Sequence, residues 1–396
     1  MMRERLARYE TMLDQLAQKG RRRGLAQQGG IDFTSNDYLG LAGSARLNAG
    51  IVSAVERGVP VGAGGSRLLR GNHPEHEALE TEAATFFRSE RVLYFGSGYA
   101  ANVAIFATLP QRGDIVIHDA LVHASANEGI AASRAPAVAV AHNNLDAFDA
   151  AICTWRQAGG TGHPWIAVES LYSMDGDRAP LSELAELADR HDGFLVIDEA
   201  HATGLYGPGG RGLSASLEGR DNIIVLHTCG KALGSAGALV SGSRLLCDFL
   251  VNRARPFIYA TAPSPLLAAS VREALKILAD EPERRETLLH LIAFANEQLN
   301  ARFGIAGSGS QILPVIIGDD RRTVRIARRM QAEGFDIRAI RPPTVPEGTA
   351  RLRIAITLNV DTATIARMFD LLAQAIEEEV IEEKAMVGSP MTARAP

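Results

Sequence analysis

The chain has 396 residues, 46% of them hydrophobic and 22% charged, with a net charge of -5 at pH 7. That length exceeds one simple core, so at least two domains are expected. The acidic balance argues against nucleic acid or an anionic membrane surface as partner, and no apolar run approaches the ~20 residues of a membrane helix.

In chain order, residues 1 to about 45 read as a helix followed by an arm, "IDFTSNDYLGLA". The opening "MMRERLARYETMLDQLAQKG" is charged and helical and lacks the apolar centre of a signal peptide. Residues 46 to about 280 alternate short β-rich runs with helical stretches such as "LSELAELADRH". The runs are "RVLYF", "DIVIHD", "WIAVES", "GFLVIDE", "NIIVLHT" and "GALVSG". Alternation of this kind predicts a largely parallel sheet between helices, and the fully apolar "FLVI" and "IIVL" predict central strands buried on both faces. From about 281 to 385 the order changes to helix, "QILPVIIG", helix, "FDIRAI", "ARLRIAIT" and a last helix from about 361 to 384, a smaller α+β domain. Its acidic "EEEVIEEK" reads as a solvated helix face, and residues 386 to 396 are expected to be disordered. The fold class is therefore α/β, a large mostly parallel sheet domain followed by a small α+β domain.

Cys153, Cys229 and Cys247 have no metal-ligand spacing, and three unpaired thiols fit a reducing, cytoplasmic setting. His73 and His76 in "NHPEHEALE" lack a third ligand, so no metal is expected, and they read as polar residues at a helix start.

Ligands of open α/β sheets sit at the carboxyl ends of the strands. "RVLYF" is followed by "GSGYAAN", where Gly96 and Gly98 let backbone approach a ligand and a helix start offers N–H groups to an anion. "DIVIHD" is followed by His123, "WIAVES" by Ser173, "GFLVI" by Asp198 and His201, and "NIIVLH" by Thr228 and Lys231. Lys231 stands out because the chain has four lysines, Lys19, Lys231, Lys276 and Lys384, and only this one has a small, apolar setting, "HTCGKALG". Taken alone it reads as a surface lysine on a turn. Taken together, these groups meet what pyridoxal phosphate asks for. Its aldehyde needs a lysine, its ring nitrogen a carboxylate, its phosphate N–H and hydroxyl donors, and its ring face a flat partner. Glycine and alanine around Lys231 are expected to leave room for the ring. The loop "GAGGSRLLRG" lacks a preceding strand and is not a dinucleotide site.

The ordered set "SNDYLGLA", "GAGGSRLLRGNHPEHEALE", "GSGYAAN", "HDALVHAS", "SMDGD", "VIDEAHATGLYGPGGRG" and "TCGKALGSAGA" resembles the α-oxoamine synthases, from about residue 33 to about 360. These are fold-type I pyridoxal-phosphate enzymes that join an amino acid to an acyl-CoA with release of CO2. The resemblance implies that Lys231 carries the cofactor covalently and then moves the Cα proton. It pairs Asp198 with the pyridine nitrogen and His201 with the phenolic oxygen, and it stacks His123 on the ring, facing the substrate. Gly98, Tyr99, Ser173 and Thr228 would contact the cofactor, and Thr261 in "FIYATAPSP" the phosphate of a neighbouring subunit in a homodimer. Arg353 would hold the substrate carboxylate by a two-point ion pair, with Thr344, Asn36 and an arginine of "RRR", Arg21, also at the substrate. Within the family, "IRPPTVPEGTARLRIAIT" resembles the branch acting on L-alanine and pimeloyl-CoA or a pimeloyl-carrier protein. Sister enzymes that use glycine or serine, an aminotransferase, and a non-catalytic cofactor-binding protein are the alternatives.

Overall fold

The structure is a computed structural model that describes residues 2–388. It divides into two compact units. The larger takes Asn36–Ser173 and Asp177–Thr287; the smaller takes the residues up to Ser35, Met174–Gly176, and those from Leu288 onward. The larger unit begins at Asn36 for a packing reason: Tyr38, Leu39 and Leu41 are fully buried.

The larger unit is built on seven strands in the order Arg91–Phe95, Ala238–Gly242, Ile223–Thr228, Phe194–Asp198, Pro164–Glu169, Ile115–Asp119 and Ala137–Val140. Neighbours pair in parallel except Ala238–Gly242, which runs antiparallel to both strands beside it. Successive strand residues point to opposite faces, and here both faces are apolar. Val116, Trp165, Ala167, Val196, Ile224 and Leu226 pack on one side; Ile117, Ile166, Val168, Leu195, Ile197 and Val225 pack on the other. The first face is covered by helices Gly98–Thr108, Ala124–Ala131 and Arg244–Arg253, the second by Leu145–Gln157 and Leu181–Arg190. This two-sided burial is why the central runs are continuously apolar rather than alternating.

The six strands expected from the sequence all form, in the expected mostly parallel α/β arrangement. The seventh, Ala137–Val140, was not expected. It is an edge strand with Ala137, Val138 and Ala139 exposed, and its four-residue run after Pro136 is half alanine, a weak strand former.

In the smaller unit, Ile312–Gly318 and Ala339–Ile340 flank Ala350–Ala355 in an antiparallel three-stranded sheet. The predicted single strand "FDIRAI" is split: Phe335–Asp336 pairs in parallel with Ile31–Asp32, and only Ala339–Ile340 joins the larger ladder. Between the halves, Ile337 turns fully inward and Arg338 bonds back to Asp336. The last helix runs Thr362–Gly388, and residues 389–396 of the expected tail lie outside the described residues.

His73 and His76 begin helix Pro74–Phe87 as a capping box: each imidazole accepts from the backbone N–H groups at the helix start. His76 also reaches the carbonyl of Pro263 through Nε2 (2.8 Å). These contacts give both histidines structural partners.

Candidate active site

The carboxyl ends of the central strands of the larger unit carry the polar groups. Asp198 is the last residue of its strand and shares a face with Val196, so it points toward helix Gly98–Thr108. Asn102 of that helix donates through Nδ2 to Asp198 Oδ2 (2.8 Å) and to Ser125 Oγ (2.9 Å). The backbone N–H of Ala200 donates to Asp198 Oδ1 (3.0 Å). Asp198 is therefore a buried carboxylate fixed through both oxygens. Asn102 ends the "GSGYAAN" motif, yet the sequence reading gave it no role. Its position one helical turn after Gly98 was the available signal.

Lys231 follows the adjacent strand. Its Nζ lies 2.9 Å from His201 Nε2, and His201 Nδ1 lies 2.7 Å from the Tyr38 hydroxyl. Tyr38 in turn donates to Asn36 Oδ1 (2.9 Å). Lys231, both ring nitrogens of His201, the Tyr38 hydroxyl and Asn36 Oδ1 thus form one connected hydrogen-bonded chain. Tyr38, from "SNDYLGLA", is the second participant that the sequence reading missed. Asn36 reaches the site through it.

His123 begins helix Ala124–Ala131, and its Nδ1 lies 2.7 Å from Ser125 Oγ. Asn102 thus joins Asp198 to His123 through Ser125. The ring of His123 is exposed on one side. The protein packed around it lowers its pKa, Asp198 opposes that, and Lys231 reinforces it.

Gly98 opens its helix, capped by Ser97, whose side chain accepts from Ala100 N–H. A Cβ on Gly98 would stand 3.6 Å from Thr228 Oγ1, an ordinary contact distance, so the helix start lies beside the Thr228 hydroxyl. Tyr99 is half exposed beside it, and Thr261 is exposed between helices Arg255–Ile258 and Pro265–Asp280. The N–H of Ser173 donates to Glu169 Oε2 (3.1 Å).

Two of the small residues beside Lys231 have a packing cause of their own. A Cβ on Gly234 would fall 2.5 Å from Ala42 N and from the carbonyl carbon of Leu41, and Gly234 has φ +61°. Ala232 is buried against Gly204. Gly234 and Ala232 thus admit the chain at residues 41–42 and the turn after His201, while Gly230, next to Lys231, meets only the carbonyl of Ser235 at 3.9 Å.

The loop that carries Ser173 is anchored by His142. Its Nδ1 lies 2.8 Å from Asp119 Oδ1 and its Nε2 2.7 Å from Asp177 Oδ2. Partial burial opposes charge on the ring, but the hydrogen bonds to the two carboxylates win and raise its pKa to about 10. The folded value lies above the ordinary 6.5. This stabilisation is therefore fully present below pH 6.5 and is lost as pH rises through about 10. Thermal melts of wild type and His142→Gln should differ most near pH 6.5, and the gap should close toward pH 10.5. A gap independent of pH would contradict the assignment.

The remaining expected substrate residues belong to the smaller unit. Arg353 is buried on strand Ala350–Ala355. Arg21 is ion-paired with Asp320 and Glu347. Arg23, two residues on, donates to Thr344 Oγ1 (3.1 Å). The structure thus brings Thr344 together with Arg23, while the charge of Arg21 is matched by two carboxylates.

The residues of the larger unit fit pyridoxal phosphate. They offer an amine on a positioned lysine, a buried carboxylate with both oxygens fixed, and a helix start next to a threonine hydroxyl. Residues 28–372 match the family described as aminotransferase class I and II. The chain belongs to that family, whose cofactor is pyridoxal phosphate, and within it to the α-oxoamine synthases. An 8-amino-7-oxononanoate synthase of Chromobacterium violaceum is 42% identical over 88% of this chain and 89% of its own length. One from Anaeromyxobacter dehalogenans is 40% identical over 92% and 94%. The solved 8-amino-7-oxononanoate synthase of Francisella tularensis superposes with a TM-score of 0.74 at 27% identity, covering 89% of this chain and 99% of that one. Serine palmitoyltransferase of S. paucimobilis, solved with a PLP–myriocin adduct, superposes at 0.85 over 96% and 99%; at 24% identity it speaks for the fold alone. The chain is a pyridoxal-phosphate-dependent transferase that acts on acyl thioesters.

Proposed function

We propose that the protein condenses L-alanine with a pimeloyl thioester, on CoA or a carrier protein, to give 8-amino-7-oxononanoate, the free thiol and CO2. One C–C bond forms at the alanine Cα, and the thioester C–S bond and the bond to the alanine carboxylate break. The observation that carries the reading is the pairing of Lys231 with His201 beside a carboxylate, Asp198, fixed by Asn102 and Ala200 N–H. The relatives at 40–42% identity supply the substrates.

Bound pyridoxal phosphate supplies an electron-accepting ring that stabilises negative charge at the amino acid's Cα. Asp198 holds the proton on the ring nitrogen, and its fixed geometry keeps that charge in place without reorganisation. Lys231 Nζ would hold the cofactor covalently, and its amine would take the Cα proton and later return one. His201, with Nε2 directed at Lys231 and Nδ1 at the Tyr38 hydroxyl, keeps the amine oriented. His123 supports the ring face and meets the incoming thioester carbonyl. Gly98, Tyr99, Ser173 and Thr228 hold the cofactor. Thr261 holds the phosphate of the second subunit of a cytoplasmic homodimer, a location that the free cysteines support. Arg353 holds the alanine carboxylate. Thr344 contacts substrate with an arginine of the 21–23 run, and Arg23 has the stronger case because it already bonds Thr344.

Steady-state assays with alanine, glycine and serine against pimeloyl-CoA and shorter acyl-CoAs test the proposal. Alanine with the pimeloyl donor should give the highest kcat/KM by at least tenfold. A preference for glycine or serine would move the protein to a sister activity.

A further inference from the structure

We propose that Glu169 is a positioning residue that keeps a proton, so that the negative charge of the strand ends rests on Asp198, while its second oxygen fixes the backbone of Ser173. The two carboxyl groups end adjacent parallel strands, with Glu169 the register partner of Asp198. Paired residues of neighbouring strands lie about 5 Å apart and present their side chains to the same face. Glu169 is 3% exposed and Asp198 9%. Their hydrogen-bond donors are divided unequally. Asp198 accepts from Asn102 and from Ala200 N–H, one for each oxygen. Glu169 accepts from Ser173 N–H at Oε2, and Oε1 is buried with no partner among the described residues. It borders a cavity of about 10 Å³, whose other polar walls are Asn102, His123 and Asp198.

Two buried carboxyl groups this close do not both ionise, and the better-solvated one keeps the charge. The donors assign that charge to Asp198. Other groups around Glu169 point the same way. Burial is the largest influence, Asp198 and Asp119 repel charge on it, and only Lys231 and Ser173 N–H favour charge. Tyr172, three residues on, is itself pushed upward by burial and by Asp119 and Glu169, so it offers no positive charge. Together these raise the Glu169 pKa to about 8. The raised value has a definite sign in stability. The folded protein keeps a proton that the unfolded chain has released, so stability falls as pH rises from about 4.5 to about 8.

The proposal rests on Asp198 as the partner of the ring nitrogen, and its test separates the two. In the holoenzyme, Glu169→Gln removes the titration while keeping an acceptor for Ser173. The Tm of wild type should fall relative to E169Q between pH 5 and pH 8.5. Equal slopes over that window overturn the proton on Glu169, whatever Asp198 does. Between pH 7 and pH 9, the absorbance of the bound cofactor in wild type should show a transition near pH 8 that E169Q lacks. The same transition in both proteins overturns the coupling. Failure of the Asp198 reading itself would appear elsewhere, as Asp198→Asn with unaltered cofactor absorbance. If E169Q does not fold, Glu169→Leu provides the same non-titrating comparison.

Discussion

Lys231→Ala is expected to abolish turnover, by a factor on the order of 10⁴ or more, because one substitution removes both the covalent attachment and the amine that moves the Cα proton. The readout that isolates the attachment is chemical. Borohydride treatment of wild type should add the cofactor's mass to the peptide carrying Lys231, and the variant should show no such addition. Lys19 and Lys276 lie on other elements, and Lys276 is near Glu273 (3.7 Å) on its own helix; Lys384 is near the end of the last helix. The fold should survive, since Lys231 is only partly buried and its hydrogen bond to His201 leaves that ring still held by Tyr38. A variant that still gains the cofactor's mass on reduction would sink the assignment.

Asp198→Asn tests the electrostatic half of the site. Asparagine is close in shape, but it carries no charge to hold a proton on the ring nitrogen. The expected loss is on the order of 10²–10⁴ in kcat, the range for a preorganised charge or proton-transfer group. Structure should be less affected. Two N–H donors, from Asn102 and Ala200, now face one carbonyl oxygen and one amide, so one donor loses its acceptor. One unmet buried donor costs about 1–3 kcal/mol, enough to lower Tm without unfolding a protein of this size. A variant with wild-type kcat and an unshifted cofactor spectrum would remove Asp198 from the mechanism.

Much of this was legible in the chain because its information is local. Apolar runs bounded by turn residues marked six of the seven strands, and the residues just after those runs became the strand-end groups of the site. The alternation of apolar partners across the sheet, Val196 facing one way and Ile197 the other, follows directly from runs such as "FLVI". The edge strand Ala137–Val140 was missed because its apolar run is only four residues long, half of it alanine, a weak strand former.

Other features depend on distance along the chain being converted into contact. Asn102 and Asp198 are 96 positions apart, and Tyr38 and His201 are 163 apart. No spacing rule pairs them, and both partners were overlooked or left without a role. Gly234 looked like clearance for a ligand because its neighbours in sequence are small; it is small because the chain at Leu41 and Ala42 passes within contact of it.

The sequence by itself determined which residues could do chemistry and on which strand ends they would stand, because strand period and strand termini are set by neighbours a few positions away. Only the tertiary structure decided how each is held: the His201 ring between Lys231 and Tyr38, the two donors on Asp198, the two carboxylates clamping His142, and the buried, half-satisfied carboxyl of Glu169 beside Asp198. Those are properties of register and close packing between segments far apart in the chain, where burial and a partner's hydrogen bond, rather than residue type, set the charge that each group carries.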